Sequence, residues 1–118
     1  MEDKIGLFKA FYTNWGVATG FAGVAYGPFI FIRPKYREDV GLLEHEKVHV
    51  RQFWKYLVLF WILYYTSQKY RLRFEVEAYR EQLKWYDDDR TQVFAGFLVN
   101  KYGLDITTEA AAKLLKAP

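Results

Sequence analysis

The only two histidines of the chain lie four residues apart, in the pentapeptide His45-Glu46-Lys47-Val48-His49. On a helix, side chains at this spacing lie on one face, so both imidazoles can bind the same cation. Zinc binds neutral imidazole, and Glu46 is placed to take a proton from a metal-activated water without being a ligand itself. The alternative is two solvated histidines on an exposed helix face. The motif predicts a zinc site with His45 and His49 as ligands and Glu46 as general base.

A site with two histidine ligands needs a further donor from elsewhere in the chain. No cysteine and no third histidine exist, so the donor must be a carboxylate. The sequence favours Glu75 or Glu77, which stand at the start of a predicted helix. Residues two apart on a helix point about 200° away from each other, so only one of them can face the metal.

The paired motifs resemble those of the gluzincin type of zincin metallopeptidases, in particular small bacterial and phage-borne members with the pattern H-E-x-x-H-x-x-Q followed by E-x-E-A-x. The chain matches this pattern at His45, Glu46, His49, Gln52, Glu75, Glu77, Ala78 and Tyr79. The resemblance covers roughly residues 27–80. It implies a single zincin-like domain over residues 1–118, with Zn²⁺ as cofactor, Glu75 as third ligand and a protein or peptide as substrate.

Tyr79 lies one helical turn beyond Glu75, on the same face of the predicted helix. Since both histidines serve as ligands, its hydroxyl is the best candidate for stabilising the oxyanion that forms during peptide hydrolysis. The alternative is an ordinary core tyrosine. We therefore expect Glu46 and Tyr79 to be the catalytic residues.

Composition limits the other classes of function. The 118 residues are 52% hydrophobic, which is sufficient for one globular domain with a real core. The absence of cysteine excludes disulfides and fits a cytoplasmic protein, in the host cytoplasm if the gene belongs to a phage. The net charge of +3 comes from interspersed basic and acidic residues, so we expect no nucleic-acid partner.

Local patterns predict an α+β fold that is mostly helical, with a small N-terminal antiparallel sheet packed on about four helices. Residues 10–32 are uncharged but contain Pro28 and no leucine, which favours a hairpin over a membrane helix. We expect its strands at residues 17–25 and 29–33, with the second forming the cleft edge that pairs with substrate. A short amphipathic helix is expected within residues 1–12.

Asp39 is the predicted N-cap of the motif helix, which begins at Val40. Residues 56–65 are apolar and predict a helix buried on all sides, whereas the alternation at 69–74 predicts an extended segment. The motif helix either continues to residue 65, so that the extended segment must return Glu75 to the histidines, or it breaks soon after residue 56. Further helices are expected at residues 75–85, 91–102 and 108–116, the last capped by Thr107.

Two other functions stay open at this point. In the first, zinc is a structural staple in a domain that binds a protein partner, and Glu46 has no catalytic role. In the second, less favoured, the aromatic-rich surface attaches to a membrane. Aromatic residues make up 20% of the chain.

Overall fold

The computed structural model describes residues 6–117. It confirms the α+β, mostly helical prediction, with a three-stranded sheet at the N-terminal end. The elements are β1 Lys9–Tyr12, β2 Gly23–Tyr26, β3 Phe29–Ile32, a 3₁₀ turn Pro34–Tyr36, α1 Val40–Tyr56, α2 Val58–Thr66, α3 Gln68–Leu83, α4 Thr91–Lys101 and α5 Thr108–Lys116.

The sheet has the strand order β1-β3-β2. Strands β2 and β3 pair antiparallel, as predicted for the hairpin, and Gly27 supplies the positive φ of 58° that their tight turn requires. Strand β1 pairs parallel to β3, so the sheet is mixed and the prediction of a wholly antiparallel sheet is wrong. Ile30 and Ile32 of the central strand are fully buried and belong to the core between the sheet and α1.

The two predicted N-terminal elements differ from the observed ones. Residues 1–5 of the expected helix lie outside the described part, and residues 9–12 form β1 because their backbone groups pair with β3. The first hairpin strand begins at Gly23 rather than at residue 17. In the preceding segment, carbonyl groups of Val17, Ala18 and Phe21 accept hydrogen bonds from the Arg33 guanidinium, so they are satisfied without a neighbouring strand.

Helix α1 begins as predicted. The Asp39 carboxylate accepts a hydrogen bond from the Leu42 amide at 3.0 Å and another from the Tyr86 hydroxyl at 2.6 Å. The helix ends at Leu57, whose φ of 54° and ψ of −133° interrupt the helical path. Of the two predicted courses, the chain therefore takes the break after residue 56.

Helix α2 is a surface helix, and the prediction that it is buried on all sides is wrong. Phe60 is its one buried residue; the ring contacts the Phe74 ring of α3 with 4.9 Å between centroids. Helix α2 packs against α1 and α3 through the side that carries Phe60, and most of its other apolar side chains are exposed. Sequence hydropathy cannot distinguish this arrangement from burial.

Helix α3 includes residues 69–74, so the extended segment predicted there is wrong. Ser67 caps the helix by accepting a hydrogen bond from the Tyr70 amide at 3.3 Å. Alternating Lys, Arg and apolar residues also fit a helix, since Tyr70 and Phe74 are four residues apart and their rings meet. Helix α3 packs along α1, which brings Glu75 back toward the motif helix.

The C-terminal helices follow the predicted order. Gly103 follows α4 with a positive φ of 64°, a conformation that glycine adopts without strain, and the Thr107 hydroxyl accepts a hydrogen bond from the Ala110 amide at 3.1 Å. With α3 they enclose a second core that includes Phe94, Leu98 and Leu115. Within residues 6–117, no helix combines the length and hydropathy needed to cross a bilayer.

The break at Leu57 makes a prediction about stability. A leucine in this conformation is strained by about 1–3 kcal/mol, and glycine is not. Leu57→Gly should therefore raise the free energy of unfolding by about 1 kcal/mol after the entropic cost of glycine, measured by urea denaturation. The control Ile62→Gly, at an equally exposed helical position, should lower it by about 0.5–1 kcal/mol. Equal destabilisation by both changes would contradict the assigned strain.

Candidate metal centre

The three predicted ligands converge at one buried point. His45 Nε2 lies 3.5 Å and His49 Nε2 lies 3.1 Å from Glu75 Oε1. All three side chains are buried, and their potential ligand atoms lie within 4.8 Å of one another. Two imidazole nitrogens and one carboxylate oxygen form a donor set that could hold a divalent metal ion.

Gln52 fixes the orientation of the second histidine. Its amide nitrogen donates to the Phe74 carbonyl at 3.0 Å and to Glu77 Oε1 at 2.8 Å, both of which are acceptors. The amide oxygen must therefore face His49 Nδ1, 2.8 Å away, and accept its proton. This arrangement leaves His49 Nε2 facing Glu75, so a metal ion that replaces the proton on Nε2 would bind this nitrogen.

The first histidine is held by packing. The His45 ring lies against the Tyr79 ring with centroids 4.3 Å apart and an interplanar angle of 71°. His45 Nδ1 is buried and has no hydrogen-bond partner in the described part of the chain. Its Nε2 is the ring nitrogen that approaches Glu75.

The structure distinguishes the two candidate glutamates. Glu75 Oε2 accepts a hydrogen bond from the Tyr64 hydroxyl, so Oε1 remains for the two imidazoles. Glu77 is half exposed. It accepts a hydrogen bond from the Gln52 amide nitrogen and forms an ion pair with Arg51. Only Glu75 therefore belongs to the buried group. Tyr64 was not predicted as a site residue, because it lies in an apolar run of the sequence without a motif.

Charge interactions within the group explain its pKa shifts. Burial alone would lower the pKa of His49, but the charge and hydrogen bond of Glu75 outweigh it and raise this pKa to about 9. Burial opposes ionisation of Glu75 as well, yet the two histidines hold its pKa well below the usual range. A carboxylate that stabilises an imidazolium this strongly would also stabilise a metal cation in place of the proton.

Glu46 lies beside the group without joining it. Its side chain is buried, and burial raises the pKa of its carboxyl against the opposing effect of His45 and His49. A Cβ atom added to Gly23 of β2 would lie 3.5 Å from Glu46 Oε2, so this carboxylate reaches the first residue of the strand. A raised pKa makes Glu46 a stronger base than an ordinary surface glutamate.

Tyr79 lies behind the His45 ring. Its hydroxyl is 2.6 Å from the Tyr102 hydroxyl, and burial raises the pKa of both phenols, so both stay protonated and one of them donates its proton to the other. Tyr102 and His45 line the cleft described in the next paragraph. Tyr79 lies behind these two residues and contacts both of them. An oxyanion role for Tyr79 stays a prediction, and Tyr102, which lines the cleft, is a further candidate for it.

A cleft of about 380 Å³ opens above the three ligands and Glu46. Its walls are largely aromatic and include Phe21, Tyr26, Phe60, Trp61, Tyr64, Tyr65 and Tyr102. All four residues of β2 line it too, and β2 is an edge strand. The prediction that residues 29–33 form the cleft edge is wrong, because β3 is central and pairs on both sides.

Comparison of the chain with protein-family models, with curated proteins and with solved structures gave no match. The function is therefore inferred from the chemistry of the cleft residues. These are a buried set of two imidazoles and a carboxylate, a separate buried glutamate, and a strand, β2, that lies at the edge of the sheet formed by the described residues.

The different positions of Glu75 and Glu77 lead to a matched test of metal binding. Glu75→Gln should weaken zinc binding by about 100-fold or more, because it removes the charged donor, whereas Glu77→Gln should change it no more than about tenfold. Competition with a chromophoric chelator measures both affinities. Circular dichroism of the zinc-free variants controls for folding. Stronger loss in the Glu77 variant would contradict the assignment.

Proposed function

We propose that this protein is a zinc-dependent metallopeptidase. The observation that carries the proposal is the convergence of His45, His49 and Glu75 at the base of a cleft, with Glu46 beside them. Structural zinc sites are closed by four protein ligands, whereas catalytic sites use three and leave a position for water or substrate. Among the described residues, three potential ligands come together, and all three line the cleft.

Zinc fits this donor set because it accepts both imidazole nitrogen and carboxylate oxygen as ligands and does not change its oxidation state during hydrolysis. When bound, it supplies Lewis-acid polarisation of a water molecule and of the peptide carbonyl. Glu46 accepts a proton from the water as the new C–O bond forms. The same carboxyl group then donates that proton to the leaving amine as the C–N bond breaks.

Strand β2 offers a way to hold the substrate. The Ala22 carbonyl accepts a hydrogen bond from the Arg33 amide at 2.9 Å, and Gly23 lies opposite Ile32 in the register. In an antiparallel ladder hydrogen-bonded pairs alternate, so the backbone groups of Gly23 and Ala25 point to the free edge. An extended peptide could pair with that edge and place its carbonyl near Glu46.

The proposed substrate is a protein or peptide, and we place the activity in the cytoplasm, the host's in the case of a phage protein. The aromatic walls of the cleft suit a large apolar side chain next to the cleaved bond. The absence of cysteine fits this location without requiring it.

Glu46→Gln tests the proposed chemistry. The change is nearly isosteric and removes the base, so cleavage should fall by about 10²- to 10⁴-fold, equivalent to roughly 3–5 kcal/mol of transition-state stabilisation. Zinc stoichiometry and Tm should stay near those of the wild type. Cleavage of a peptide library is measured by mass spectrometry, with Glu44→Gln on the same helix as the matched control.

Unchanged cleavage by the Glu46 variant would refute its role as general base. A wild-type protein that cleaves no member of the library, and that unfolds on chelation, would favour the structural-zinc alternative.

A further inference from the structure

The outward side of α2 is an apolar surface on a helix without charged residues. We call it the outer α2 surface and define it as Leu57, Val58, Leu59, Trp61, Ile62 and Tyr65, all of which are exposed. The exposed fractions of Val58 and Tyr65 reach 63% and 69%. Exposed apolar groups this closely spaced mark a site of contact with a partner or a membrane.

Neighbouring aromatic residues extend this surface. The Phe53 ring contacts the rings of Trp54 and Trp61, with centroids 5.3 and 5.2 Å apart. The Trp54 indole nitrogen donates to the Leu7 carbonyl at 2.8 Å, and Leu7 is 83% exposed. The apolar surface thus continues from α2 through the end of α1 to the segment before β1.

The charged residues of the segment that contains α2 and its two flanks are all basic. Residues 47–74 contain no Asp or Glu, and their six basic residues are Lys47, Arg51, Lys55, Lys69, Arg71 and Arg73. Lys55 and Lys69 flank α2 and are exposed, and so is Arg73 one turn further along α3. An apolar helix with Trp and Tyr between exposed lysines has the chemistry of a segment that binds at a lipid–water interface.

We propose that the outer α2 surface docks on the surface of an anionic lipid bilayer. Val58, Ile62 and their neighbours enter the boundary between headgroups and acyl chains, while Lys55 and Lys69 contact lipid phosphates. A symmetric dimer through the same surface is disfavoured, because it would bring the basic residues of two copies together without acidic residues from residues 47–74 to neutralise them.

Docking in this way would place the cleft next to the membrane. Trp61 and Tyr65 belong both to the outer α2 surface and to the cleft wall. If the protein is the peptidase proposed above, its substrates are therefore chain segments at the bilayer surface. The docking itself does not depend on catalysis and can be tested without a substrate.

Vesicle flotation of the zinc-loaded full chain tests the proposal directly. Vesicles of phosphatidylcholine with one quarter phosphatidylserine should carry the protein upward, and phosphatidylcholine alone should bind it at least about tenfold more weakly. Raising the salt to about 0.5 M should weaken binding to the anionic vesicles. Brominated acyl chains should quench part of the tryptophan fluorescence, since Trp54 and Trp61 lie at the contact.

Two double variants of the outer α2 surface and its basic flanks, each with a matched control elsewhere, test which surface binds the vesicles. Val58→Glu with Ile62→Glu alters exposed residues outside the cleft and should reduce vesicle binding by more than about 50-fold, whereas Val93→Glu with Leu114→Glu on α4 and α5 should reduce it far less. Lys55→Gln with Lys69→Gln should cost about 25-fold, at about fivefold per lysine. Lys35→Gln with Lys113→Gln is the control for charge. Circular dichroism confirms that each variant is folded.

Failure of the wild-type protein to float on anionic vesicles, without bromine quenching, would overturn the proposal. Equal losses in the α2 variant and its α4/α5 control would overturn it as well. If sedimentation shows a dimer that the α2 variant abolishes, and vesicles bind neither form, the surface is an interface between two copies and the membrane proposal is wrong.

Discussion

A buried carboxylate, that of Glu75, links the three helices of the site. An ionised carboxylate is costly to remove from water unless charged and hydrogen-bonded partners surround it. His45 and His49 of α1 and Tyr64 of α2 are those partners, and Glu75 itself comes from α3. The three helices are therefore held where their side chains can surround the Glu75 carboxylate. The same arrangement directs the two imidazoles toward a common point.

The break at Leu57 makes this arrangement geometrically possible. A straight helix continued to residue 65 would end about 24 Å beyond His49, too far for Tyr64 to reach the site. By turning at Leu57, the chain folds α2 back so that Phe60 and Tyr64 lie near His49. None of the described residues packs over the opposite side of α2, so a strongly apolar surface lies exposed beside the cleft.

Sequence reasoning succeeded where local chemistry decides the structure. The cap at Asp39, the hairpin around Gly27 and the cap at Thr107 follow from short-range signals. Glu75 was expected as a ligand from the resemblance of the paired motifs, and the structure groups it with the two histidines. Sequence reasoning failed where long-range packing decides. Residues 9–12 are a strand because β3 is available to pair with them. Most apolar residues of α2 are exposed because the chain turns at Leu57, a residue type that does not predict such a turn. Tyr64 reaches Glu75 only through that turn.

We propose that a metal ion binds to His45, His49 and Glu75 and leaves a coordination position facing the cleft. Crystals of the zinc-loaded protein, measured at the zinc absorption edge, test it most directly. We expect one anomalous peak within about 2.0–2.3 Å of the two Nε2 atoms and a Glu75 oxygen, with a non-protein oxygen as the fourth ligand. A peak elsewhere, or a fourth ligand from the protein itself, would contradict the catalytic assignment.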